Sequence, residues 1–96
     1  MVENINKVMM ISYSNYRICF RRTGVDPSLG IREFFYDDKG RILFYSKKPV
    51  IPFGDDLGEL MEDVKEMMIA FEKEVIDLDY IDRKIMKNRE EINKGI

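Results

Sequence analysis

The chain contains no histidine. That absence removes the commonest general base, the commonest transition-metal ligand and every histidine-dependent nucleophile arrangement. Cysteine occurs once, as Cys19, so no internal disulfide can form, and the expectation is a reducing, cytoplasmic setting. Arginines two positions away on either side would favour the Cys19 thiolate. Without a histidine beside it, a half-buried structural thiol is the better reading, and one cysteine cannot build a zinc site. Long apolar runs are missing as well. None approaches the ~18 residues that span a bilayer, and Met1 to Lys7 shows no basic stretch leading into an apolar core, so neither a membrane partner nor a secretory signal is expected. Gly54-Asp55-Asp56-Leu57-Gly58 lacks the Gly-Lys-Ser/Thr ending of a phosphate loop. Asp77, Asp79 and Asp82 are regularly spaced but lack the turn glycine of a calcium loop. The expectation is a protein with no catalytic residue, no metal and no cofactor, hence not an enzyme.

What is present is enough for one domain over residues 1–96. The chain is 96 residues long, 45% hydrophobic and 11% aromatic, which suffices for a single folded core. The net charge of −2 is unevenly spread: residues 1–53 sum to +4 and residues 54–96 to −6. A solvated acidic helix beside an ordinary sheet explains this; a basic sheet surface meeting an acidic partner is the sharper alternative.

Residues 1–7 read as a frayed start, and Val8 to Ile11 as an apolar run of undecided type. Tyr16 to Arg21 alternates, with Tyr16, Ile18 and Phe20 on one face and Arg17, Cys19 and Arg21 on the other. Thr23 to Gly30, with Gly24, Asp26, Pro27 and Ser28, is a connection. Ile31 to Tyr36 reads as a second strand, Asp37-Asp38-Lys39-Gly40 as a hairpin turn, and Arg41 to Lys47 as a third strand. Pro49 and Pro52 end the sheet region, because neither can donate a ladder bond. Asp56 is placed as a helix N-cap with Glu59 completing a capping-box-like pair. From there Leu57, Leu60, Met61, Val64, Met67, Met68, Phe71 and Val75 recur at helical spacing. The pattern predicts that this stripe is core, lying on the Tyr16, Ile18 and Phe20 side of the sheet. Val75 to Tyr80 suits a short fourth strand or an extended segment. Asp79 is a candidate cap for a final helix with Ile81, Ile85 and Met86 on its apolar side, and residues 88–96 read as frayed. The fold class is α+β: a three-stranded antiparallel meander, one long amphipathic helix on one face, and a short C-terminal strand or helical tail.

One helix covers one face. Aromatics fall in both registers of the second and third strands, so rings on the other face need the tail, a second copy or a partner to cover them. Arg17, Arg21, Arg32, Tyr36 and Tyr45 are the candidate binding residues of that face. Positive charge interleaved with rings suits single-stranded nucleic acid, but no RNP-like segment or zinc finger accompanies them.

Phe35-Tyr36-Asp37-Asp38-Lys39-Gly40, the strand after it, and Gly54-Asp55-Asp56-Leu57-Gly58-Glu59-Leu60 resemble the HicB-like antitoxin fold. In that fold a strand hairpin leads to an acidic helix packed on the sheet. The same run, with Pro49-Val50-Ile51-Pro52-Phe53-Gly54, is similar to small bacterial and phage proteins of no assigned function. Gly58 stands where a glutamate is usual and Asp56 where a hydroxyl cap is usual. The stretch after Leu78 is expected to be too short for the DNA-binding module that often follows. The resemblance implies a toxin-neutralising role. The leading expectation is a non-catalytic interaction module, phage-associated or antitoxin-like, that binds a protein partner or itself as a homo-oligomer through an open sheet face or edge. Binding of single-stranded nucleic acid is the alternative.

Overall fold

In the structure, a computed structural model, residues 10–24 and 29–94 are described. The undecided start at residues 1–9, the middle of the Thr23–Gly30 connection and the last two residues lie outside them. Four strands and two helices follow one another: β1 Tyr13–Phe20, β2 Gly30–Tyr36, β3 Ile42–Tyr45, α1 Leu57–Ile69 with a 3-10 turn over Ala70–Glu72, β4 Ile76–Asp77, and α2 Leu78–Lys94. The α+β class holds, but the three-stranded meander is too simple. The sheet is four-stranded and mixed, in the order β3-β2-β1-β4. β1, β2 and β3 pair antiparallel, whereas β4 runs parallel to β1, with Cys19 opposite Ile76 and Phe20 opposite Asp77. Parallel pairing requires a long crossover, and the segment containing α1 provides it.

The β2–β3 hairpin is fixed by one carboxylate. Asp37 Oδ1 accepts from the backbone N–H groups of Lys39 (3.0 Å) and Arg41 (2.8 Å), and Oδ2 accepts from Arg41 Nε at 2.7 Å. Gly40 takes φ 79°, the left-handed conformation that the turn needs from a residue without Cβ. Asp37 is almost wholly buried. Burial pulls its carboxyl upward, but the Arg41 and Lys39 N–H groups and the Arg41 charge outweigh that and hold it below its ordinary value.

The core lies between the sheet and α2. Cys19, Phe34 and Tyr36 pack with Ile76, Leu78, Ile81 and Ile85, and Ile42 and Tyr45 lean against them. Buried positions of α2 recur at 78, 81, 85, 88 and 92, the 3-4 spacing that keeps one stripe facing a sheet. The helix therefore runs well past Lys87, where the charged composition had suggested fraying. Its last turns also close the sheet edge. Asn88 Nδ2 donates to Ile42 O and an Arg89 guanidinium N–H donates to Leu43 O, both at 3.1 Å. Those two carbonyls of the edge strand are thereby occupied by side chains rather than left for a foreign strand.

The largest correction concerns α1. It starts as expected, with Asp56 Oδ1 accepting from Glu59 N at 2.8 Å. The reciprocal bond is displaced by one residue: Glu59 Oε2 accepts from Asp55 N at 2.8 Å. The helix rests on β1, as the sequence predicts, and Tyr16 donates to Asp63 at 2.8 Å. Yet of α1 and its 3-10 turn only Met67 and Ala70 are buried, with Leu60 half-buried. Leu57, Met61, Val64, Met68 and Phe71 are exposed by between 37% and 77%. The long apolar stripe is not core; most of it faces outward.

Candidate functional site

Placing the five sequence-derived candidates comes first. Across the antiparallel β1–β2 pair Arg17 lies opposite Arg32, and Phe34 lies opposite Tyr45 on β3, so these residues and Tyr36 share the face that α2 covers. Arg17 donates to Glu74 O at 2.7 Å, and Arg32 donates to Ser46 O and Lys47 O. Tyr36 is buried, stacked on Tyr13 with centroids 4.7 Å apart, and donates to Asn15 Oδ1 at 2.8 Å. Arg21 bonds Asp79 Oδ1 (3.0 Å), Asp82 Oδ2 (2.9 Å) and Tyr45 Oη (2.8 Å), while Tyr45 donates to Asp82 Oδ1 at 2.6 Å. The bond to Asp82 chiefly holds the Arg21 guanidinium in its charged form, against the effect of burial. Burial and then Asp82 push the Tyr45 phenol upward. The residues share one face as expected, but α2 packs against it: Arg21 and Tyr45 bind α2 to the sheet through Asp79 and Asp82, while Arg17, Arg32 and Tyr36 are held by Glu74, Ser46, Lys47 and Asn15.

Asp79 does similar work. Oδ2 accepts from Thr23 N and Arg22 N, both at 3.1 Å, and Oδ1 from Thr23 Oγ1 and Arg21. The Thr23 N–H leads the contacts that keep this carboxyl below its ordinary value. The side chain thus ties the end of β1 to α2 instead of capping the helix. Asp77 Oδ1 accepts from Asp79 N at 3.0 Å and takes the local cap role. Cys19 is buried, and burial raises its thiol pKa although Arg32 and Arg21 pull the other way. That is the inert structural thiol the sequence suggests. Among the described residues no three acidic or cysteine side chains are grouped to hold a metal ion. No helix there is long and apolar enough to cross a membrane.

Among the described residues, most of α1 is left exposed. At 100° per residue its sheet-facing side is Leu60, Asp63, Met67 and Ala70. One flank carries Leu57, Met61, Val64, Met68 and Phe71, spaced 4-3-4-3, the a/d seam of a helix that packs on another helix. Over the ~14 steps from 57 to 71 this ridge is about 21 Å long. The opposite flank borders an open groove of about 890 Å³ between α1, Tyr16 and the 50–54 loop. Asp63 builds that groove: Oδ1 receives Tyr16 Oη and Oδ2 receives Phe53 N at 2.9 Å. Gly54 allows the loop to come this close, since a Cβ there would fall on Leu60 N and 2.7 Å from Glu59 C. The spacing of the ridge was legible in the sequence; that it would be left uncovered was not.

No family model, curated protein or solved structure matches the chain. The reading of function therefore rests on the geometry of α1 and its surroundings.

Proposed function

We propose that this chain is a non-catalytic protein-interaction module whose docking element is the outward ridge of α1, and that the ridge pairs with α1 of a second copy. The observation that carries the reading is the exposed 57/61/64/68/71 seam. Five apolar side chains at strict helix–helix spacing form a contiguous apolar strip, and strips of this kind mark contact surfaces. A second copy offers the complementary seam, and a two-fold axis makes one patch serve both sides. The pairing is taken as antiparallel, the orientation in which the two helix dipoles oppose each other and the seam, centred on Val64, meets itself in register.

The motive for self-association thus moves. The sheet face that seemed to need a partner is covered by α2, and the β3 edge is occupied by Asn88 and Arg89. The antitoxin-like expectation belongs to the same class, with a toxin helix in place of the second copy. Nucleic-acid binding loses its support, because the arginines and rings it would use are engaged internally.

Cysteine cross-linking tests the pairing. Antiparallel seams centred on Val64 place Val64 opposite its own symmetry mate, and the buried Cys19 leaves the background low. Val64→Cys is expected to form a disulfide-linked dimer under mild oxidation. Glu62→Cys, on the groove flank, is the control and stays monomeric. Equal cross-linking of the two variants, or none in either, would overturn the pairing.

A further inference from the structure

The groove on the other flank of α1 has a chemistry of its own. Its helical wall presents Asp56, Glu59, Glu62, Asp63 and Glu66, and none of its lining residues is basic. The facing wall is apolar: Ile51 and Phe53 are 78% and 71% exposed, and Val50 stands beside them. Val50 is held to the sheet by its N–H to Ile31 O at 2.8 Å, and Phe53 by its N–H to Asp63. The backbone of the facing wall is therefore anchored before anything binds, which lowers the ordering cost of binding. Among the described residues, Lys65 stands 3.5 Å from Glu62.

From this arrangement we infer that the groove is a docking site for a basic peptide segment that carries lysine or arginine next to apolar side chains. The carboxylate wall is complementary to the cations, and Ile51 and Phe53 receive the apolar anchors. A metal ion does not suit the site, because the carboxylates are strung along the helix instead of converging on a point. A polyamine would match the charge but leave the apolar wall unused. At the base of the groove, burial, the bond to Asp63 and then the charges of Asp63, Glu33 and Glu66 push the Tyr16 phenol up to about 12. The groove residues and the ridge residues occupy opposite flanks of α1, so a peptide and a second copy can be held together. The site does not depend on the pairing proposed above.

The test uses the full chain and four probes in isothermal titration and amide-shift mapping: a peptide alternating lysine and leucine, its glutamate–leucine counterpart, a lysine–serine peptide, and spermine. The lysine–leucine peptide is expected to bind, shifting the amides of Ile51, Phe53, Gly54 and Gly58. Its affinity is expected to fall at least tenfold between about 50 and 500 mM salt, as screening shortens the reach of the carboxylates. The triple variant Glu59→Gln, Glu62→Gln, Glu66→Gln and the separate variant Phe53→Ala should each weaken it tenfold or more. Met61→Gln with Met68→Gln, which makes the ridge polar without adding charge, should leave it unchanged, which separates failure of this site from failure of the ridge. Equal binding by the lysine–serine peptide or spermine, equal binding by the glutamate–leucine peptide, or no shift at the groove amides would each overturn the inference. The side chains altered in the triple variant are all exposed, so circular dichroism before titration confirms that it is folded.

Discussion

Ile85→Ala and Met68→Ala make the sharpest pair of perturbations, because composition and periodicity alone would rank them the other way. Ile85 is 7% exposed and sits in the cluster with Phe34, Tyr36, Leu78 and Ile81. Truncating a buried isoleucine to alanine removes its transfer energy and leaves a cavity, at a cost of about 2–5 kcal/mol. Taking ~3 kcal/mol, and 4–8 °C per kcal/mol for a domain of this size, the melting temperature should fall by about 12–24 °C. That is a large share of the ~5–15 kcal/mol that holds a typical domain folded. Met68 is 62% exposed. Its truncation removes little buried area, and alanine is the better helix former, so the change should stay within about 0.5 kcal/mol. Urea unfolding followed by circular dichroism, on protein dilute enough to be monomeric, reads both values. A loss for Met68→Ala as large as that for Ile85→Ala would refute the assignment of the core to α2 and restore α1 as its main wall.

Three further outcomes follow from single contacts. Gly54→Ala forces a Cβ onto the α1 backbone at Glu59 and Leu60; repacking the loop should cost about 1–3 kcal/mol in urea unfolding, and a neutral result would mean the loop is not seated there. Asp37 titrates lower in the folded chain than its ordinary 3.8. Its ionised form therefore adds stability above that pH, and the contribution is lost as the pH falls through the lower folded value. Asp37→Asn should flatten the acid limb of a stability–pH profile, and an unchanged limb would contradict the hairpin geometry. The Cys19 thiol, buried and raised in pKa, should react with a thiol reagent at neutral pH far more slowly than the same thiol in urea; equal rates would show that β1 is open to solvent.

Much of the fold was legible. The alternation from Tyr16 to Phe20, the Asp37–Gly40 turn and the Asp56 cap each depend on local chemistry, and each appears where that chemistry places it. What was not legible is a competition over distance. Both helices carry apolar residues at 3-4 spacing, and the sheet covers only one such seam fully. α2 obtains the better seat because β4 pairs in parallel with β1 and delivers Leu78 into the core cluster of Phe34 and Cys19, a placement no local pattern encodes. The Leu78, Ile81, Ile85 and Ile92 spacing was nonetheless available as a signal; the charges around it hid the stripe. The arginines and tyrosines offered as a binding face were grouped correctly. Asp79 and Asp82, the partners of Arg21 and Tyr45, lie far along the chain, so the closure of that face could not be read from the strands.

Sedimentation equilibrium across roughly 5–500 μM protein tests the central claim most directly. The ridge is a small contact, below the ~1,200 Å² of a standard interface, so a dissociation constant on the order of micromolar or weaker is expected. The account predicts a mass rising with concentration toward twice the monomer for the native chain, and a constant monomer mass for Met61→Lys with Met68→Lys. A native chain that stays monomeric over the whole range, or a double variant that dimerises as before, would contradict it.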